Sequence, residues 1–211
     1  MYKLPYFTEE DTEKVISFMK DNSFAVITGF GEEFPVATHI PLEIARRDDG
    51  KIFLSGHLMK NTDHHKAFEK NENVLVIFNG PHTYVSASWY AKADVASTWN
   101  YQTVHVKGKI KFVDEAGTYN AIKAITNKYE GVDSAASFDK LPGEYVMKLI
   151  KAIVGFEIDV VDFDNVFKLS QNHGEQTRQS IVSHLYKKGD EHSGAIAKEM
   201  EDRLNGETEK K

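Results

Sequence analysis

The stretch TVHVKGKIKFV, residues 103–113, decides the fold class of this 211-residue chain. Val104, Val106, Gly108, Ile110 and Phe112 fall on one side of an extended backbone, and His105, Lys107, Lys109 and Lys111 fall on the other. A period of two with one apolar side is the mark of a strand that covers a core on one face only. The other face is basic.

Outward from this strand, Phe24 to Thr28, Pro35 to Pro41, Lys51 to Gly56, Asn73 to Phe78 and Thr83 to Ser88 are short β-branched or aromatic runs, separated by Gly, Pro, Asp or Asn. Val154, Phe156, Ile158 and Val160 alternate again and return to the sheet. The runs are too short and too evenly spaced for a doubly wound parallel sheet. Helical spacing marks an amphipathic segment capped at Thr8 and ending near Asn22, a second from Asp114 to Glu130 with Asp114 as its cap, and a third from Pro142 to Ala152. Two more follow, over residues 174–188 and 193–204, and the tail from Asn205 to Lys211 reads as disordered. Six or seven antiparallel strands with helices inserted between and after them predict a mainly β chain built as a small barrel over residues 1–173. Residues 174–211 form a helical extension packed on that barrel or on a partner subunit.

Composition removes whole classes of activity. With no cysteine there is no disulfide, thiolate nucleophile or iron–sulfur cluster. Any redox role must come from a cofactor. A net charge of -6, from 26 Lys and Arg against 32 Asp and Glu, opposes broad attraction to phosphate backbones or anionic lipid. No apolar run approaches the roughly 20 residues that span a bilayer, and Met1 to Tyr6 lacks the layout of a signal peptide. The expected location is the cytoplasm.

Two segments offer binding chemistry. Residues 80–108 hold both tryptophans with Tyr84, Tyr90, Tyr101, His82 and His105. Such aromatics often simply pack. The interleaved Ser86, Ser88, Thr98, Asn100 and Gln102 favour instead the rim of a planar heteroaromatic ring. Residues 54–65, LSGHLMKNTDHH, place Ser55, Gly56, His57, Lys60 and Asn61 where a strand ends and a helix begins. There Gly56 lets the backbone approach a ligand, while Lys60, His57 and Ser55 suit a phosphate dianion. Ring surface and phosphate donors are the two needs of FMN. The assignment is His57 and Lys60 to the phosphate with Thr38, His39, Ser55 and Asn61 beside them, Trp99, Tyr101 and His105 to the ring, and Ser86 and Trp89 to the wall.

Other chemistries lack their spacing. The nine histidines include no His-Glu-x-x-His, so no metal site is expected, although a single axial haem ligand stays open. Gly29-Phe30-Gly31 is a turn without the further glycine of a phosphate loop. Ser86 and Ser88 lack the frame of a nucleophile elbow. No catalytic residue is assigned.

In order and spacing, several short pieces of the chain together resemble a family. They are Met1-Tyr2 with Pro5 and Phe7, Ala37 to Leu42, Gly56-His57 with Lys60-Asn61, Gly80-Pro81 leading to Tyr84 through Tyr90, Thr98 to Tyr101 with His105 and Gly108, Val154 to Ile158, and Lys168 to Asn172. The family is the PaiB-type FMN-binding negative transcriptional regulators, related to split barrels of the pyridoxamine phosphate oxidase kind. The resemblance implies an antiparallel split β-barrel, a homodimer with FMN at the subunit interface, and repression of protease and sporulation genes. The chain departs from the family pattern at Thr62, Asp63 and His64, where Pro and a nearby Trp are usual, and at Ala87 and Ser97, where prolines are usual. The leading expectation is a flavin-binding regulator, with a flavin- or haem-dependent oxidoreductase of the same class as the alternative. Direct DNA binding has only the row Lys107, Lys109 and Lys111 in its favour, against the acidic total.

Overall fold

A computed structural model describes residues 1–2, 4–92 and 94–208. Seven strands form one sheet in the order β2-β1-β5-β6-β7-β4-β3. They are β1 (Phe24–Gly29), β2 (Val36–Pro41), β3 (Glu43–Arg46), β4 (Ile52–Met59), β5 (Asn73–Val85), β6 (Thr98–Phe112) and β7 (Ile153–Lys168). Six helices accompany them: α1 (Thr12–Asp21), α2 (Asp63–Lys70), α3 (Glu115–Glu130), α4 (Gly143–Ala152), α5 (Glu175–Lys188) and α6 (Glu191–Thr208). Registered pairs are antiparallel, as in β1 with β2 and β4 with β7. The expected antiparallel, mainly β class with inserted and C-terminal helices is the fold observed.

The chain divides into two compact units, one of Met1–Val15, Asn79–Val104 and Asp164–Lys211, the other of Ile16–Phe78 and His105–Phe163. Strands β5, β6 and β7 contribute residues to both.

In the second unit the alternation read in residues 103–113 holds. Val106 and Ile110 are buried, and Lys107, Lys109 and Lys111 are exposed. Gly108 is required by the close crossing of β6 and β7, because a Cβ there would lie 2.3 Å from Ile158 Cγ2 and 3.0 Å from the Asp159 carbonyl oxygen. Asp114 caps α3 as expected, its Oδ1 accepting from Gly117 N at 2.8 Å. Beside α3, Phe138, Val146 and Ile150 make a small apolar cluster with Ile122 and Leu141.

In the first unit α5 and α6 form a hairpin turned at Gly189, whose φ of 74° is the left-handed value that glycine adopts without strain. Ile181, Leu185, Ile196 and Met200 are buried, each side chain contributing about 1.5–3 kcal/mol of apolar transfer. A polar knot ties the hairpin to β5. Thr83 and Ser193 hydroxyls meet at 2.8 Å, Lys188 Nζ donates to both, and Ser193 Oγ donates to Asp190 Oδ2 at 2.7 Å. Asn205 to Thr208, expected in the tail, complete α6, and residues 209–211 lie outside the described residues.

Three readings of local structure change. The α1 cap is Asp11, whose Oδ1 accepts from Glu13 N and Lys14 N, because Thr8 closes the preceding 3-10 turn by donating its backbone N–H to Pro5 O. Two expected strands over residues 73–88 are one, β5, running through Gly80-Pro81. Proline is tolerated there because the β1 register covers only Leu75 to Ile77. Finally β3, four residues long, gave no alternation of its own to read. Among the described residues no helix is long and apolar enough to cross a membrane.

Candidate functional site

β4 continues to Met59, so Ser55, Gly56 and His57 lie within the strand rather than at its end, and only Lys60 and Asn61 stand at the turn. The role expected of Gly56 is overturned for the same reason. Its missing side chain faces inward, where a Cβ would meet Phe156 Cζ at 3.0 Å, Leu42 Cδ2 at 3.1 Å and Ile40 Cγ2 at 3.4 Å. Gly56 makes room for core side chains, not for a ligand.

Strand alternation sends Leu54, Gly56 and Leu58 inward and puts Ser55 and His57 together on the opposite face. Their hydrogen-bonding capacity is unspent. The buried Nδ1 of His57 has no partner, and burial lowers this imidazole's pKa, so the ring is neutral at pH 7. Neither the Ser55 hydroxyl nor the Lys60 ammonium is engaged by another described residue. The Lys60 backbone N–H is fixed on the Ala152 carbonyl at 2.9 Å, which holds the start of the turn.

Asn61 takes φ 66°, a left-handed conformation that asparagine tolerates better than most side chains. Thr62 then caps α2. Its Oγ1 donates to Met59 O at 3.1 Å and accepts from His65 N at 3.3 Å. The departure from the family pattern at this position therefore has a structural use: a threonine ends the turn and starts the helix.

Thr38 and His39 are neighbours on β2, so they point to opposite faces of the strand. Thr38 shares the face of buried Ile40, and His39 stacks with Phe24 at 6.0 Å. The two cannot reach one ligand group from the same side.

In the first unit, Trp99 is 52% exposed, with His82 at 5.6 Å and Tyr84 edge-on at 6.2 Å. Trp99 and Tyr101 share one face of β6, on which buried Thr103 separates them from His105 of the second unit. Tyr101 is half-buried and its hydroxyl pKa is raised by burial, then by the nearby Tyr2. No described residue engages the Trp99 indole N–H or the Tyr101 hydroxyl in a hydrogen bond.

The other members of the aromatic segment are committed to its own structure. Trp89 stacks on His184 of α5 at 5.1 Å with 12° between the rings, and its carbonyl accepts from Ser180 Oγ at 2.8 Å. Ser86 caps the turn Ala87–Trp89 and meets Ser88 Oγ at 2.8 Å, while Ser97 Oγ accepts from Ala87 N at 3.0 Å. Asn100 and Gln102, expected at a ligand rim, are buried. Asn100 accepts from Ser170 Oγ at 3.1 Å and donates to Met200 Sδ at 3.4 Å. Asn100 reads as available in sequence because its partners, at residues 170 and 200, lie far along the chain.

The basic row of β6 is likewise spent. Lys107 pairs with Asp162 at 3.0 Å, Lys109 with Glu72, and Lys111 with Asp159 at 2.7 Å. Among the described residues no group of three or more His, Asp or Glu is placed to hold a metal ion.

Residues 1–162 match the family model described as "Putative FMN-binding domain". The chain is 35% identical over 205 residues to "Protease synthase and sporulation protein PAI 2" of Bacillus subtilis (strain 168), covering 97% of this chain and 98% of that one. Among solved structures it is similar to the flavocytochrome Anf3 of Azotobacter vinelandii, with a TM-score of 0.61 at 14% identity over 79% of this chain and 72% of that one. It is also similar to the FAD and heme binding protein of Mycobacterium smegmatis, with a TM-score of 0.60 at 13% identity over 76% and 73% of the two chains. At such identities the likeness bears on fold, and the fold is the antiparallel split barrel.

Proposed function

We propose that this chain, which belongs to the FMN-binding domain family matched by its residues 1–162, holds the FMN phosphate with Ser55, His57 and Lys60 and meets the isoalloxazine ring with Trp99 and Tyr101. The observation that carries this reading is the set of unspent polar groups on β4 and its turn: the Ser55 hydroxyl, His57 Nδ1 and the Lys60 ammonium. A buried polar atom without a partner costs about 1–3 kcal/mol, and a phosphate oxygen would satisfy it. Trp99 and Tyr101 offer the ring π-surface together with two free donors. His105 extends that face. Asn61 shapes the turn that carries Lys60, and of Thr38 and His39 alternation admits one. Ser86 and Trp89 line the wall, Trp89 being held by its stacking on His184 of α5.

The flavin site lies at the subunit interface of a homodimer, as the family resemblance implies. Bound FMN supplies the ability to take up and return electrons, which a chain without cysteine lacks. The protein's part is to hold the phosphate at Lys60 and to shield the ring from water. The role is that of a cytoplasmic flavin-dependent regulator, supported by the similarity to the sporulation protein PAI 2. The pairing of Lys107, Lys109 and Lys111 with carboxylates supports a regulator that does not grip DNA through this face.

The test is an absorbance titration of the purified protein with FMN. Binding is expected to perturb the flavin band and saturate at one FMN per chain. A spectrum equal to the sum of protein and free FMN at every ratio overturns the reading.

A further inference from the structure

Lys168 opens the stretch KLSQN at residues 168–172, which the flavin contacts proposed above leave unused. It lies at the end of β7, half-buried, in the first unit. Its Nζ donates to Thr98 Oγ1 at 2.5 Å and stands 5.8 Å from the centroid of the Phe7 ring. Neither neighbour is charged, and no carboxylate among the described residues pairs with this ammonium. The contrast with other lysines is plain. Lys51, Lys70, Lys107, Lys111, Lys123 and Lys128 each face a carboxylate within 3.0 Å. Glu9, an acid of the same unit, is committed to Arg203 at 2.6 Å. Burial lowers the Lys168 pKa, as it does for an ammonium with no counter-charge.

A half-buried ammonium is unfavourable unless an anion completes it. Thr98 adds a second feature. Its oxygen accepts from Lys168, so its own O–H is left to donate in the same locality. An N–H and an O–H presented side by side suit one oxyanion, and Phe7 screens the cation from water on another side. We propose that Lys168 and Thr98 form an oxyanion-recognition point, built from residues other than the β4 set, that takes a phosphate or carboxylate oxygen of a small ligand. The oxygen is that of a second small acid, or of the flavin phosphate in place of the β4 set.

The test is acetylation of lysines in the full-length protein at pH 8, followed residue by residue by peptide mass spectrometry. The probes are inorganic phosphate, acetate, FMN and riboflavin, each added separately. An anion at about ten times its dissociation constant should slow labelling of Lys168 about tenfold. Thr98→Val should lose most of that protection while Lys168 is still labelled. Lys168→Met should weaken binding of the protecting anion about tenfold or more, and Lys168→Arg should keep part of it. Protection by FMN but not riboflavin assigns the oxyanion to the flavin phosphate. Protection by phosphate or acetate alone assigns a separate small acid, and it stands even if the absorbance titration finds no flavin. Labelling that no anion slows overturns the proposal. Equal protection by FMN and riboflavin, with none from phosphate or acetate, overturns it too, since only a covering ring would then be at work.

Discussion

The β4 segment and the aromatic segment carry the same kinds of side chain and use them in opposite ways. On β4 and its turn, Ser55, His57 and Lys60 keep their hydrogen-bonding groups free. In the aromatic segment, Ser86, Ser97 and Asn100 are engaged with Ser88, Ala87, Ser170 and Met200. Polar residues beside aromatics are therefore no guide to a binding rim by themselves. What separates a ligand contact from scaffold is whether the group's valence has already been met within the chain. By that measure the groups left open to a ligand are those of Trp99 and Tyr101 in the aromatic segment and of Ser55, His57 and Lys60 on β4 and its turn.

The largest effect on this contrast is expected from Asn100→Ala. Asn100 is fully buried, and its loss strands the buried Ser170 hydroxyl, at a cost of about 2–3 kcal/mol in unfolding free energy. Denaturant unfolding checks it. FMN affinity of the folded variant should be unchanged, because both polar ends of the Asn100 side chain are engaged within the chain. A loss of affinity without a loss of stability would reverse the assignment and return Asn100 to the rim. Next comes Lys60→Ala, where losing the proposed charge-assisted contact to phosphate should cost about 1.5–3 kcal/mol, or roughly 10- to 100-fold in FMN affinity. Riboflavin has no phosphate and should lose little. Equal losses for both ligands would place Lys60 at the ring or in the scaffold.

How much of this was readable from sequence follows the range of the interaction that decides each feature. Residues 103–113 announce their strand because one face must be apolar, and Asp114 announces α3 because a cap acts within three residues. Thr8 and Asp11 are equally good caps in sequence, and only the 3-10 turn Pro5–Phe7 decides between them. Pro81 reads as punctuation, yet β5 runs through it where the β1 register has ended. The proposed phosphate contacts rest on residue types that the sequence shows directly at Ser55, His57 and Lys60. Gly56 was misread, because its neighbours Phe156, Leu42 and Ile40 are distant in sequence. Lys168 stood out only as the start of the matched piece Lys168 to Asn172, since a missing counter-charge is a property of the fold alone.

The smallest effect, and the most specific to an unspent group, is the pH dependence attached to His57. Burial holds its pKa below the ordinary 6.5. The unfolded chain therefore takes up the proton first as pH falls. Above pH 6.5 both states are neutral at this residue and the contribution is complete; below it, the folded state loses stability until its own lower pKa is reached. His57→Gln removes the titration and should flatten the fall in Tm between pH 6.5 and 5. The comparison must be wild type against variant, because His173 is also depressed by burial and by Lys92 and adds a loss of the same sign. A phosphate group beside the ring would favour the imidazolium, so saturating FMN should shrink the wild-type fall toward that of the variant. If FMN stabilises both proteins equally at every pH, His57 Nδ1 is a buried cost of the scaffold and not a phosphate ligand.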